Sequence, residues 1–192
     1  MEKAVEGQYG FYFDSDRCIQ CHACEVACKS WNALEPGIRW RKVLESWGGQ
    51  FPKVTNKSVS LSCMHCANPA CMEVCPAKAI SKRAKDGIVL VDPKLCTGCR
   101  SCAAACPFRV PQHGRSNLMQ KCDLCIDRLD EGKQPVCVAT CPGGALKCAP
   151  VEELAGNSSL KPAEKLPGPT NPPFFIAGRL KPAEFALFDL SR

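Results

Sequence analysis

The chain has 192 residues, 17 of them cysteine, and a formal net charge of +6. This length suits one domain or two small domains that share a core. A disulfide scaffold is disfavoured, because such scaffolds are usually short and secreted, the cysteine count is odd, and the N-terminal residues show no signal-peptide pattern.

The predicted elements are short, and each cysteine group follows a strand. Strands are predicted for YGFYF at 9–13, SVSL at 58–61, GIVLVD at 87–92 and SNLMQ at 116–120. Single helical turns are predicted in ACEVACKSW at 23–31 and SCAAACPF at 101–108, where they carry the fourth cysteine of their groups. AISKRAKDGIVLVD predicts a hairpin that turns at Asp86-Gly87, with its basic run in solvent. The proline-rich KLPGPTNPPFF at 165–175 predicts an extended arm laid on a partner subunit.

Four cysteine groups hold all but one of the cysteines. They are Cys18, Cys21, Cys24 and Cys28; Cys63, Cys66, Cys71 and Cys75; Cys96, Cys99, Cys102 and Cys106; and Cys122, Cys125, Cys137 and Cys141. Proline follows each of the last three groups, and Cys148 stands alone. We interpret Cys148 as a half-buried free thiol.

The spacing indicates iron–sulfur clusters. Cysteines at steps of three wrap one cluster, whereas the fourth, four residues later and before a proline, ligates the neighbouring cluster of a pair, as in the bacterial ferredoxin run. A structural zinc site commonly uses two separated cysteine pairs instead. Zinc sites and disulfides are the alternatives that this spacing disfavours.

Exchange of the fourth cysteine predicts four ligand sets. Groups two and three form one pair, and groups one and four, which flank them, form the other. The predicted sets are set A (Cys18, Cys21, Cys24, Cys141), set B (Cys28, Cys122, Cys125, Cys137), set C (Cys63, Cys66, Cys71, Cys106) and set D (Cys75, Cys96, Cys99, Cys102).

The expected fold is α+β, with two pseudo-symmetric bacterial-ferredoxin-like modules, one nested within the other. Residues 9–35 and 117–150 form the outer module, and 60–112 form the inner module. Residues 36–59 are an insertion between groups one and two, and 151–192 are a C-terminal extension.

Electron transfer is the predicted function, because an iron with all its ligands from protein has no open position for a substrate. The chain lacks a nucleophile–base arrangement, a phosphate loop and a dinucleotide fingerprint, so no small-molecule substrate of its own is expected. The rival function is a catalyst or sensor with a labile, solvent-accessible cluster. Bound clusters are anionic, so the surplus of lysine and arginine is interpreted as compensation and not as a nucleic-acid surface.

Several residues near the ligands have open roles. His22 and His65 lie inside CxxC steps, where they are redundant as ligands, so we expect them to support ligands or face the surface. The tryptophans between groups one and two are expected to pack over clusters or meet a partner: Trp31, Trp40 and Trp47. Cations beside ligands either raise cluster potentials or are ordinary exposed charges: Lys29, Arg100, Arg109 and Lys121.

With these motifs in place, the chain resembles the iron–sulfur subunit of the dimethyl sulfoxide reductase family of molybdopterin enzyme complexes. The resemblance runs from about Gln8 to Leu154 and includes QYGFYFDSDRCIQCHACEVACK and GKQPVCVATCPGGAL. It implies four [4Fe-4S] clusters, a catalytic molybdenum or tungsten subunit and a membrane subunit that exchanges electrons with quinone. Some relatives replace one cysteine of group three and hold a three-iron cluster, but all four are present here.

The resemblance also implies where such a chain works. No segment reaches the roughly 20 apolar residues of a membrane span. We therefore expect a peripheral protein, folded in a reducing cytoplasm and attached to the cytoplasmic membrane through partner subunits, on a side the sequence leaves open. The equivalent subunit of a formate dehydrogenase or hydrogenase is the alternative, although those relatives often add a C-terminal membrane helix. Substrate, direction of electron flow, cluster potentials and the roles of Cys148 and the C-terminal arm are also left open.

Overall fold

Short strands and short helices alternate along the chain, which confirms the α+β prediction. The computed structural model describes residues 7–161, 163–166 and 168–190. Its strands are β1 (Tyr9–Asp14), β2 (Lys42–Gln50), β3 (Lys53–Leu61), β4 (Ile80–Lys82), β5 (Val89–Val91), β6 (Gln112–His113), β7 (Met119–Gln120), β8 (Leu146–Pro150), β9 (Ala163–Lys165) and β10 (Phe174–Ala177). Its helices are α1 (Ala23–Trp31), α2 (Ala70–Glu73), α3 (Ser101–Ala105), α4 (Ile126–Asp130), α5 (Val136–Ala139) and α6 (Val151–Gly156), followed by a 3-10 helix at Pro182–Leu187.

The largest sheet has four strands in the order β8-β1-β10-β9. Strand β1 pairs antiparallel with β8 and parallel with β10, so it is buried on both sides. Phe11 and Phe13 point to one face and join the main core, whereas Tyr12 points to the other and packs with Leu154 and Phe175. This alternation is the period of two expected for a strand, and it explains why YGFYF is apolar throughout.

The C-terminal segment differs from the predicted arm. Strand β10 forms hydrogen bonds with β1 of its own chain, and Phe174 and Ile176 are only 1% exposed. Phe185, in the 3-10 helix, packs edge-on against Phe108 at 6.2 Å between ring centroids. Burial of these aromatic and aliphatic side chains against the core stabilises the return of the segment. Of the arm predicted at 165–175, Phe174 and Phe175 belong to a strand of the chain's own sheet, so the prediction of an arm laid on a partner was wrong at these residues.

The interval 36–59 contains most of a long hairpin that the sequence analysis left undescribed. Strands β2 and β3 pair antiparallel from Lys42–Leu61 to Gln50–Lys53, so the predicted strand at 58–61 is the end of a longer one. The hairpin predicted around Asp86-Gly87 is confirmed, with β4 and β5 on either side. Of the strand predicted at 116–120, only Met119–Gln120 pairs, with β6.

Of the two helices predicted to carry a fourth cysteine, the first has the predicted bounds and the second ends earlier than predicted. Helix α1 is nine residues long, more than a single turn, and carries both Cys24 and Cys28. Helix α3 ends at Ala105, so Cys106 is its C-cap residue, with extended backbone, and does not lie on the helix. Pro107 explains this, because a residue before proline is disfavoured in the helical region. No helix of residues 7–161, 163–166 and 168–190 is long and apolar enough to cross a bilayer.

Candidate metal centres

The cysteine loops owe their shape to left-handed residues inside the CxxC steps. The backbone φ angle is 58° at His22, 47° at His65, 64° at Arg100 and 63° at Leu124. Such angles cost L-residues about 1–2 kcal/mol each and turn the chain sharply, so that successive cysteine side chains face a common centre. Strain of this kind persists where the surroundings impose it, which is frequent at functional sites.

Sets A and D each line one cavity. Cys18, Cys21, Cys24 and Cys141 line one cavity, together with Phe13, Ile19, Val43, Ala145 and Leu146. Cys75, Cys96, Cys99 and Cys102 line the other, with Ile80, Val91 and Met119 among the other lining residues. In both cavities three cysteines come from one loop and the fourth from a distant segment, and the remaining walls are largely apolar.

Set B is the most deeply buried. All four of its thiols are buried. Burial raises the pKa of Cys28 to about 11 and that of Cys125 to about 12, and the thiolate charge of Cys137 raises both further. Burial also raises the pKa of Cys122 well above its usual value, and the Cys28 charge adds to that rise. The thiols of groups one and four therefore meet in one apolar interior.

In set C, cysteines of groups two and three lie close together in the same way. Burial raises the pKa of Cys66 to about 11 and that of Cys71 to about 12, with added contributions from the charges of Cys63 and Cys106. Burial likewise raises the pKa of Cys106, and Cys63 adds to the rise. The fourth cysteine of group three thus lies beside the first three of group two.

Thiols of neighbouring sets influence one another's pKa values. The thiolate charge of Cys137, in set B, raises the pKa of Cys24, in set A. The charge of Cys63, in set C, contributes to the raised pKa of Cys122, in set B. Sets C and D are joined by α2, because Cys71 lies on this four-residue helix and Cys75 follows it. These influences predict the order A, B, C, D, in which Cys21, of set A, and Cys99, of set D, are exposed.

The donor chemistry suits [4Fe-4S] clusters. Every set offers four thiols, and four thiolates are the usual ligands of such a cluster. Thiols whose pKa is raised by burial, such as Cys28, Cys71 and Cys125, have to release a proton when iron binds. Among the described residues, no His, Cys, Asp or Glu side chains form a group of three or more at the spacing of a single-ion site.

The two histidines inside CxxC steps differ. His22 is 43% exposed, and its ring nitrogens lie 3.3 Å from Glu25 and 3.5 Å from Glu45, so it lies at the surface. His65 is 1% exposed, and its Nδ1 accepts a hydrogen bond from Val89 N–H at 3.0 Å. Its buried Nε2 has no protein partner in the described chain, which leaves one donor for a group bound beside Cys63 and Cys66.

The tryptophans have three different environments. Trp31 is half exposed and stacks with the Arg128 guanidinium, whose carbon is 4.8 Å from the ring centroid. Trp40 packs against the core, and its Nε1 donates to Gln120 Oε1 at 3.2 Å. Trp47 is 65% exposed on the β2–β3 hairpin. Only Trp40 is thus positioned as core, and Trp47 remains available to a partner.

The cations beside ligands also separate into types. Lys29 Nζ donates to the carbonyls of Glu35 and Ile38, at 2.8 and 3.0 Å, and holds the chain after α1. Arg100 Nη2 donates to the Asn117 side chain at 2.8 Å in a partly exposed contact. Arg109 has a left-handed backbone, at φ 49°. Lys121 is buried, and its Nζ donates to the carbonyls of Val89 and Cys122.

Sequence analysis missed one charged residue and misjudged one thiol. Arg41 is 1% exposed and lies among cysteines of sets A and B, although no motif marks it. Cys148 is 2% exposed and not half-buried, because it lies in β8 opposite Phe11 and faces the core. Burial raises its pKa strongly. The alternation of LKCAP was the available signal for Cys148.

Comparison with known protein families agrees with this chemistry. Residues 54–150 match the 4Fe-4S dicluster domain, and residues 9–30 match a 4Fe-4S binding domain. The B subunit of the anaerobic dimethyl sulfoxide reductase of Escherichia coli K12 is 46% identical over 156 residues, 77% of this chain and 76% of that one. The chain belongs to the family of dimethyl sulfoxide reductase iron–sulfur subunits.

Two further relatives are also similar to this chain. The formate dehydrogenase iron–sulfur subunit of Wolinella succinogenes is 40% identical over 171 residues, 77% of this chain and 80% of that one. The hydrogenase-2 operon protein HybA of E. coli O157:H7 is 34% identical over 188 residues, 84% of this chain and 57% of that one. As a member of the family, the chain binds [4Fe-4S] clusters and is an electron-transfer subunit of an oxidoreductase complex, which confirms the predicted function class.

Proposed function

We propose that the chain carries electrons through four [4Fe-4S] clusters, held by sets A to D, between a molybdopterin catalytic subunit and a membrane quinone-reactive subunit or another redox partner. The observation that carries this proposal is that the cysteines of sets A and D each line one cavity, while thiols of sets B and C from separate segments raise one another's pKa values. Such clusters gain and lose single electrons at potentials that their surroundings tune.

The exposure of the ligands differs between the terminal sets, A and D, and the middle sets, B and C. All four thiols of set B and Cys63 of set C are buried, and the other thiols of set C are half-buried, in a largely apolar interior with a low local dielectric constant. Cys21 and Cys99 are exposed, so sets A and D reach the surface at opposite ends of the order. Exchange with partner subunits is therefore assigned to sets A and D, and retention of electrons away from solvent to sets B and C.

The nested arrangement of two ferredoxin-like modules is part of the same proposal. It is supported by the pairing of β1 with β8 and by the packing of α1 on α5, which join 9–35 to 117–150. Within 60–112, α2 packs on α3 and β4 pairs with β5. Residues 36–59 then belong to the hairpin insertion, and part of the 151–192 extension completes the sheet of the outer module.

The choice of partners follows from the relatives. The dimethyl sulfoxide reductase B subunit matches three quarters of this chain at 46% identity, which favours a molybdopterin reductase and peripheral attachment to the cytoplasmic membrane through partner subunits. The similarity to a formate dehydrogenase subunit at 40% identity favours that complex as the second candidate. Reduction of dimethyl sulfoxide by the purified complex, measured beside oxidation of formate, distinguishes the two.

Exchange of fourth cysteines provides the experiment. In the proposed assignment Cys106→Ser and Cys71→Ser perturb the same cluster, whereas Cys102→Ser perturbs a different one. Electron paramagnetic resonance of the reduced complex is expected to show the same altered signal in the first two variants and a distinct one in the third, with three centres retained each time. A shared signal for Cys106→Ser and Cys102→Ser would contradict the exchange.

A further inference from the structure

Arg41 is a buried cation that is only 1% exposed. None of the ion pairs formed among the described residues includes it. An unpaired buried charge costs several kcal/mol of folding free energy unless other groups compensate it. A guanidinium stays charged in proteins, so loss of its proton does not relieve this cost. The compensating negative charge therefore has to lie close by.

Neutral groups hold the guanidinium in place. Nη1 donates to Ser60 Oγ at 3.0 Å, and Nη2 donates to Ser62 Oγ at 2.9 Å. The guanidinium carbon also lies 4.5 Å above the centre of the Phe11 ring, a cation–π contact. These contacts satisfy hydrogen-bond donors and orient the charge, but they contribute no negative counter-charge.

Cysteines of two ligand sets surround the same charge. Thiolates of Cys24, in set A, and of Cys28, Cys122 and Cys137, in set B, are the groups that raise the pKa of Arg41 against the effect of burial. The charge of Arg41 in turn opposes the raised pKa values of Cys24, Cys28 and Cys122. The negative charge near Arg41 is thus supplied by the ligands of the outer pair.

Ser60 connects Arg41 directly to one of these ligands. Its hydroxyl accepts from Arg41 and lies 3.4 Å from Cys24 Sγ. Because its oxygen already accepts from the guanidinium, the hydroxyl proton is free to point at the sulfur. A hydrogen bond to a ligating sulfur raises the potential of a cluster, as does a nearby positive charge. Both effects act on the outer pair.

We propose that Arg41 is the built-in counter-charge of the outer cluster pair and raises the reduction potentials of the clusters held by sets A and B. The proposal rests on the proposed function, since it concerns clusters assigned to those sets. Reduction adds one negative charge to a cluster, and a fixed cation nearby favours that reduced state. Arg41 is a positioning residue, because it acts through charge and through Ser60 and does not ligate iron.

Lys121 provides an internal comparison on the other pair. It is 4% exposed, and the hydrogen bonds of its Nζ go to backbone carbonyls. Its charge opposes the raised pKa of Cys71, in set C. Removal of Lys121 is therefore expected to lower the potential of the set C cluster, whereas removal of Arg41 is expected to affect sets A and B. The two buried cations make reciprocal variants.

The experiment is a potentiometric titration of the intact complex, monitored by electron paramagnetic resonance, for Arg41→Met, Arg41→Lys and Lys121→Met. Arg41→Met is expected to disfavour one-electron reduction of the set A and set B clusters at least tenfold, about 59 mV. Sets C and D are expected to shift less. Arg41→Lys keeps the charge and is expected to shift the outer pair less than Arg41→Met. Lys121→Met is expected to shift set C most.

Each outcome separates the two proposals. If the wild-type complex lacks four reducible centres, the proposed function fails whatever Arg41 does. If four centres are present and Arg41→Met leaves the outer potentials unchanged, or Arg41→Lys shifts them as far as Arg41→Met, only the role of Arg41 is overturned. Should Arg41→Met lose the outer clusters, Arg41→Lys decides. If Arg41→Lys then retains its iron, the proposed role of the positive charge is supported. If it loses as much iron as Arg41→Met, that role is rejected.

Discussion

Set B and set D each combine three cysteines of one group with one cysteine of another, yet their thiols differ in exposure. All four thiols of set B are buried, and burial raises the pKa of Cys125 to about 12. In set D, Cys99 is exposed, and hydrogen bonds from Ser101 lower its pKa. The comparison teaches that spacing selects the cofactor, whereas position in the fold determines how basic and how accessible each ligand is.

The largest expected contrast comes from loss of one ligand in each set. Cys122→Ser leaves a hydroxyl in a buried apolar site, at a cost of about 1–3 kcal/mol where it finds no partner. We expect this variant to lose the set B cluster and to unfold at a lower temperature. Cys99→Ser places the hydroxyl at the surface, so its effect is expected to be confined to the set D cluster.

Iron analysis and thermal unfolding, monitored by circular dichroism under anaerobic conditions, measure both effects. Cys99→Ser is expected to lose at most one cluster, which is about four irons per chain. Equal falls in the unfolding temperature of the two variants would show that burial of set B contributes nothing special to the fold.

The next contrast is between a buried and an exposed phenylalanine. Phe174 is 1% exposed and lies opposite Phe11, whose ring makes a cation–π contact with the Arg41 guanidinium. Phe174→Ala is expected to destabilise the fold by about 3–5 kcal/mol, because it removes a fully buried aromatic side chain. Phe51, at the tip of the β2–β3 hairpin, is 92% exposed and provides the matched control.

Denaturant unfolding of the cluster-loaded complex gives the measurement. Phe51→Ala is expected to change the free energy of unfolding by no more than about 0.5 kcal/mol. If Phe174→Ala were equally mild, the C-terminal strand would not be a stabilising part of the sheet.

The smallest expected effect concerns the pH dependence of thiol alkylation in the metal-free chain. A lowered pKa means more thiolate at a given pH. Cys99 is therefore expected to react with iodoacetamide at a pH below 9.0, the ordinary pKa of a cysteine thiol. The raised pKa of Cys125 keeps it protonated until about pH 12. Peptide mass spectrometry across a pH series resolves the two sites.

Ser101→Ala is the control for this titration. It removes one of the hydrogen bonds to Cys99 and is expected to move the alkylation of Cys99 to higher pH without changing Cys125. Alkylation of both cysteines in one step near pH 9 would mean that the fold around set B does not persist without metal.

Local patterns predicted a large part of the candidate site. The CxxC steps, strand β1 and the hairpin at Asp86-Gly87 depend on residues close in the chain, so spacing and turn chemistry were sufficient. The assignment of the sixteen cysteines to sets A to D remains a prediction. The end of α3 was missed, although Pro107 was a sufficient signal for it.

Long-range packing could not be predicted in the same way. The return of β10 to β1 joins segments about 160 residues apart, and no local pattern specifies such a pairing. The proline-rich composition of 165–175 predicted only an extended backbone, which is equally suited to an arm and to a sheet strand. Burial of Cys148 and exposure of Trp47 likewise follow from neighbours that are distant in sequence.

By itself, the sequence determined the ligand chemistry, the ferredoxin-type spacing and the family, because these depend on residue identity and short intervals. Only the tertiary structure decided that Arg41 is buried near cysteines of groups one and four, and that the C-terminal segment completes the sheet with β1. The physical reason is that electrostatic environment and burial are sums over contacts from many segments, and those contacts exist only in the folded chain.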